Sequence, residues 1–172
     1  TSFIYVHTTD VFNQDLGRHL RIGEIIWETK EVPKTNFFSY TNPDETVFNS
    51  HWGSQLIFYG IHKAFGVNGL ILLSTIVNTA AFSILFTLAV RRVGFVIPSI
   101  LFIPFLYILL DRSWIRPEMF GNLFYAMVLV TLFVKSARDR LKWFFPLMAL
   151  LWINLHITAV FGVFAMGVVL LE

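Results

Sequence analysis

Asp15 and His19 stand four residues apart in the stretch DLGRHL. On a helix that spacing puts a carboxylate and an imidazole on one face, where the pair can act as a general base or hold a divalent cation. The same residues also read as a helix-start acid complementing the dipole, followed by a solvated histidine. Asp10 is a second acid or a loop residue. His51-Trp52 sets an imidazole beside an indole, which suits a sugar or headgroup platform and equally an interfacial anchor. Arg116-Pro117-Glu118 has a structural reading, with Pro117 and Glu118 fitting the start of a helix. Its other reading is a binding set, in which the Arg116 guanidinium meets a phosphate in bidentate fashion and Glu118 stands beside it. Asn154 and His156 interrupt an apolar run; a polar or ionisable group there is a functional candidate or an interhelical hydrogen bond.

Other chemistries lack the residues they need. There are no cysteines, which removes disulfides, thiolate metal sites and cysteine nucleophiles. No Gly-rich phosphate loop, HExxH motif or Ser-His-Asp order is present. The net charge is +2, but the basic residues form no continuous stripe, so nucleic acid is not an expected partner.

The elements that must carry these groups divide the chain in two. Of its 172 residues 56% are hydrophobic and only 14% charged, with a mean hydropathy of +0.67; a soluble domain carries about 25% charged residues. Residues 1–66 are polar, aromatic and rich in turn formers, and 67–172 are almost continuously apolar. We therefore expect an all-α, polytopic transmembrane helix bundle preceded by an outer loop with two amphipathic interfacial helices. Residues 15–29 form the first of these, with Leu16, Leu20, Ile22, Ile25 and Ile26 as apolar surface, and Val32-Pro33 ends it. NFFSYT is extended and TNPDE a turn. Residues 50–65 form the second, with Gly66 as its C-cap.

Membrane spans are expected at 67–90, 93–110, 119–134, 143–155 and 157–171. The first would be roughly 36 Å long as a helix, enough for a hydrocarbon core of about 30 Å. Pro98 and Pro104 should kink the second. The run 143–171 would reach roughly 44 Å as one helix, so it reads as two short crossings broken at His156. Arg91, Arg92, Lys135, Arg138, Arg140 and Lys142 fill two short loops and belong in the cytoplasm. Residues 1–66, the 111–118 loop and His156 then share the outer face. The chain opens on Thr1 and closes on Glu172 just after an apolar run, and we expect a piece of a longer polytopic protein.

The ordered pieces DLGRHLRIGEII, VPKTNFFSYTNPD, HWGSQLIFYGIHKAFGVNGL, RPEMF and LWINLH cover most of residues 10–160. Together they resemble the membrane glycosyltransferases of the GT-C superfamily, above all bacterial members related to the protein mannosyltransferase and aminoarabinose transferase group. The resemblance implies a helical bundle whose first outer loop carries a catalytic acid. It implies inverting transfer of a sugar from a polyprenyl-phosphate carrier to a lipid, glycan or protein acceptor, outside a bacterial inner membrane. The acid maps onto Asp15, with Asp10 second. His19, His51, Trp52, Arg116, Glu118 and His156 become candidate substrate-binding residues, and a divalent cation, if used, would sit at Asp15 and His19. Two other classes are a transporter or flippase, which would spread polar groups through the bilayer depth, and a non-catalytic membrane assembly subunit.

Overall fold

The structure is a computed structural model and describes residues 14–36, 38–111 and 114–171. It is all-helical, and the described residues contain no strand beyond one isolated bridge, Thr35 to Thr46. We number the helices α1 (Gln14–Thr29), α2 (Trp52–Val93), α3 (Val96–Asp111), α4 (Glu118–Phe133), α5 (Lys135–Leu141), α6 (Phe145–Leu155) and α7 (Ala159–Leu171), with a 3-10 turn at Lys142–Phe144.

Helix α1 ends at Thr29 because Lys30 turns to a left-handed φ of 61°, ahead of the expected stop at Val32-Pro33. Its buried stripe is Leu16, His19, Gly23 and Ile26. This differs from the expected one: Ile22 and Ile25 are only half-buried, and His19 is turned inward rather than solvated. The reason is close approach to α2. A Cβ on Gly23 would lie 2.8 Å from the Tyr59 Cβ, so only glycine lets the two backbones come this near.

The expected helices 50–65 and 67–90 are joined in α2, which breaks internally at Gly66 (φ 64°, ψ −158°), a conformation that only glycine adopts without strain. Of the two prolines expected to kink α3, only Pro104 is interior. Pro98 falls in the first turn, where a missing N–H breaks no helical bond. Leu155 ends α6 and His156 is extended (φ −160°, ψ 141°), which places the chain break at the polar residues.

Two apolar cores hold the bundle. Leu16, Phe58, Ile115, Met119 and Phe120 join α1, α2 and the start of α4. Val128, Phe145, Met148, Trp152, Ala159 and Met166 join α4, α6 and α7, with Trp152 stacked on Phe124 at 5.3 Å and edge-on to Tyr125 at 4.6 Å. At one end lie the start of α2, the start of α4 and the α6–α7 break. At the other, Arg92 donates to the Phe133 carbonyl, and Arg138 donates to Thr131 and Leu132 carbonyls at 3.2 and 3.1 Å. These guanidiniums satisfy last-turn carbonyls of α4 that no helical N–H can reach.

The outside of the bundle is apolar. Ile100, Leu101, Ile103, Leu150, Phe161 and Phe164 are all exposed. Helix α2 is long and apolar enough to cross a membrane, yet only 28% of its most apolar window is buried. Among the described residues α4 and α7 are shorter apolar helices.

Gly162 packs flat on the Trp152 ring, leaving no room for a Cβ, whereas Gly167 on the same helix faces open space. Gly162→Ala should therefore cost about 1–3 kcal/mol through overpacking, and Gly167→Ala should be neutral or slightly stabilising. Thermal unfolding of both variants in detergent checks the contrast.

Candidate functional site

The residues with chemical potential come from four separate stretches and meet at one end of the bundle. Asp15, in the first turn of α1, accepts from Arg116 at 3.1 Å and from Arg18 at 3.5 Å. Arg116 precedes α4 and is held from both sides. Ile115 is fully buried and Met119 nearly so, while the guanidinium lies 4.3 Å over the Trp114 ring, a favourable cation–π position. The Arg116 Nε is buried and has no hydrogen-bond partner among the described residues. An unmet charged donor is costly in a protein interior, so this nitrogen marks where an added acceptor would be welcome.

His19 lies one turn beyond Asp15, 5% exposed, with its Nδ1 3.2 Å from Gln55 Nε2 and its ring edge-on to Phe58. His51, just before α2, stands between the other two imidazoles, with centroids 6.2 Å from His19 and 5.1 Å from His156. His156 is held in the α6–α7 break by Thr158, whose Oγ1 is 2.8 Å from the His156 Nδ1. Trp52 donates its indole N–H to Asn154 Oδ1 at 2.8 Å, so it pins the start of α2 to the end of α6. Glu118 is exposed, and its charge acts on both His51 and His156. Asp10 lies outside the described residues.

The structure thus brings together Asp15, His19, His51, Arg116, Glu118 and His156. The expected alliance of Asp15 with His19 is rearranged: Asp15 serves the two arginines, and His19 turns inward to Gln55. Sequence reasoning missed Gln55, Asn49, Arg18 and Thr158. Gln55 left a signal, being a polar residue one helical turn from His51 on an otherwise apolar face. Thr158 left one too, two residues beyond the break. A cavity of about 260 Å³ lies beside this cluster, lined by Arg18, His19, Asn36, Ser50, His51 and Gln55 among others. A wider hollow of about 770 Å³ sits at the opposite end against Lys135, Arg138 and Lys142, and it contains no histidine.

The metal expectation does not fit the donors. Among the described residues no three His, Asp or Glu side chains are arranged to hold an ion, and the Asp15 carboxylate is engaged by two guanidiniums.

The electrostatics favour neutral imidazoles. Burial, reinforced by Arg18 and His51, pulls His19 down to about 4, with Asp15 pulling the other way. Burial also lowers His51, helped by His156 and Arg18 and opposed by Glu118.

Compared with family models, with curated proteins and with solved structures, the chain matches none.

The lowered His19 value has a consequence for stability. The unfolded chain takes a proton at His19 as pH falls through 6.5, and the folded chain does so only near 4. Protonation therefore favours the unfolded state, and the contribution is flat above pH 6.5 and lost between 6.5 and 4. At full strength it amounts to roughly 3 kcal/mol. Thermal unfolding in detergent across this range should show a steeper acid loss for the native protein than for His19→Gln; equal slopes would contradict the assignment.

Proposed function

We propose that this protein is an integral membrane glycosyltransferase of GT-C type, moving a sugar from a polyprenyl-phosphate carrier to an acceptor hydroxyl with inversion. One observation carries the reading: an acid, a guanidinium with an unmet donor and three imidazoles gather at one end of an apolar bundle, from four stretches of chain far apart in sequence. The same residues carry the family resemblance of the sequence. The exposed apolar exterior and the poorly buried α2 support membrane residence, since soluble monomers rarely leave large contiguous apolar patches uncovered. In this reading the clustered groups face outside a bacterial inner membrane, and the two basic loops face the cytoplasm.

The Asp15–Arg116 pair serves as the resting state. When a lipid phosphate enters, it takes Arg116 as its own partner, for which the planar fork is well suited, and of the two guanidiniums Asp15 keeps only Arg18. The acceptor oxygen then forms its bond to the sugar carbon from the face opposite the carrier. The bond between that carbon and the phosphate oxygen breaks, its electron pair leaving with the phosphate, and the acceptor proton passes to Asp15. Arg116 steadies the charge that develops on the phosphate. His51 and His156 line the acceptor side.

A transport reading is less well supported. Two interior polar groups of α2 make bonds within their own helix, Thr75 to the Ile71 carbonyl at 2.8 Å and Asn78 to the Ser74 carbonyl at 2.9 Å. A midplane binding site would need such groups turned to a cavity.

Two measurements test the proposal. With labelled polyprenyl-phosphate sugars and candidate acceptors, Asp15→Asn should reduce transfer by about a hundredfold or more, and Arg116→Ala by about the same, with unfolding temperatures little changed; full activity in Asp15→Asn would remove it from the mechanism. Because the chain has no cysteine, single cysteines at Tyr40 and Arg140 can be labelled cleanly from either side of sealed membrane vesicles. They should react from opposite sides, and reaction from the same side would refute the arrangement.

A further inference from the structure

The hydrogen bonds around two of the three imidazoles have a direction that can be worked out from groups that only donate. The backbone N–H of His51 donates to Asn49 Oδ1 at 3.2 Å. That fixes the Asn49 amide, so its Nδ2 must be the atom that donates to Gln55 Oε1 at 2.7 Å. The Gln55 amide is fixed in turn, and its Nε2 donates to His19 Nδ1 at 3.2 Å. An amide N–H has no lone pair to offer, so the His19 Nδ1 must be bare and its proton must sit on Nε2.

His156 reaches the same state by a separate route. The indole N–H of Trp152 donates to Thr158 Oγ1 at 3.2 Å, which takes one of the hydroxyl's two lone pairs and leaves open the direction of its bond to His156 Nδ1 at 2.8 Å. The backbone N–H of Thr158 also points at that nitrogen, at 3.3 Å. A backbone N–H can only donate, so Nδ1 accepts, the Thr158 hydroxyl donates to it as well, and the ring proton goes to Nε2. His51 is different. Its Nδ1 meets the Ser50 hydroxyl at 3.2 Å, a group able to donate or accept.

We propose that Asn49, Gln55 and Thr158 are positioning residues that lock His19 and His156 as neutral imidazoles protonated on Nε2, and leave His51, between them, as the imidazole free to exchange tautomers. The site then offers two fixed N–H donors flanking one adaptable ring. This suits a ligand rich in oxygen acceptors with a hydroxyl whose donor role changes during reaction. Locking also keeps two further cations out of a cluster that already holds Arg18 and Arg116 against Asp15 and Glu118. What the donors act on rests on the sugar-transfer reading; the tautomers themselves are observable with no substrate present.

Imidazole ¹⁵N spectra of the intact protein in detergent, with histidines assigned through His19→Gln and His156→Gln, test the lock. The native spectrum should show His19 and His156 each protonated on Nε2 alone at neutral pH. In Asn49→Asp the new carboxylate accepts from both His51 N–H and Gln55, so the Gln55 amide reverses and turns its oxygen to His19. The proton should then appear on His19 Nδ1 while His156 is unchanged, although Asn49 and His19 share no bond. A native His19 or His156 protonated on Nδ1, or tautomer mixing in either, overturns the proposal, and so does an Asn49→Asp protein whose His19 signal does not move. If that variant fails to fold, the native spectrum alone still decides. Locked imidazoles in a protein that transfers no sugar would sustain the lock and discard the transferase reading, so the two failures are distinguishable.

Discussion

The polar cluster stands on an apolar floor. Leu16, Phe58, Ile115, Met119 and Phe120 are buried together directly where α1, α2 and α4 meet, with Phe58 stacked on Phe120 at 6.0 Å. Magnitudes decide which interaction positions the site. The Asp15–Arg116 pair is partly exposed, and such pairs contribute at most about 1 kcal/mol. Each buried side chain of the floor contributes about 1.5–3 kcal/mol. The floor therefore brings α1 onto α4, and the ion pair selects the register once they are close. Under the proposed sugar transfer this ordering would let the pair open, since a contact that does not hold the fold can be exchanged for a ligand without unfolding it.

The close approach of α1 to α2 has a second effect. Gly23 removes the side chain that would hold the backbones apart, and His19, one turn earlier on the same buried stripe, is driven against Gln55 and Phe58. A buried imidazole without a partner would be expensive. The amide chain from Asn49 through Gln55 meets that cost and thereby fixes the ring. The requirement to satisfy buried polar groups and the positioning of a functional side chain are here one constraint. The α6–α7 break repeats the pattern, where Trp152, Thr158 and Tyr125 absorb the groups freed by the interrupted helix.

How far the sequence foretold this depends on the kind of signal involved. The helix at 14–29, the glycine break at 66 and the break at His156 were legible because each rests on local chemistry: periodicity, φ and a polar interruption. That Asp15, Arg116 and His156 share one end was an expectation drawn from the alternation of basic loops along an apolar chain; that Arg18, Asn49, Gln55 and Thr158 join them was not legible. Nor was who pairs with whom. Asp15 and His19 share a helix, and spacing suggested an alliance, but Arg116 approaches from a hundred residues away and wins the carboxylate. Gln55 looked like one more polar residue on an interfacial helix. Its role depends on a direction of hydrogen bonding anchored at a backbone N–H, and no spacing rule carries that information.

The two ends of the bundle use arginine in opposite ways, and the contrast bears on function. At the basic end Arg92 and Arg138 spend their N–H groups on the last carbonyls of α4. Those groups are committed to closing a helix. At the other end Arg116 has a carboxylate at its Nη2, an aromatic ring under its plane and a buried Nε with no acceptor among the described residues. A guanidinium held only to end a helix has no reason to leave a donor unmet in a buried position. In the proposed sugar transfer, a guanidinium that exchanges a carboxylate for a larger anion would offer its planar fork to the incoming oxygens. The incomplete hydrogen bonding of Arg116 among the described residues, more than the presence of an acid or an imidazole beside it, is what sets this end apart from the helix-closing arginines at the other.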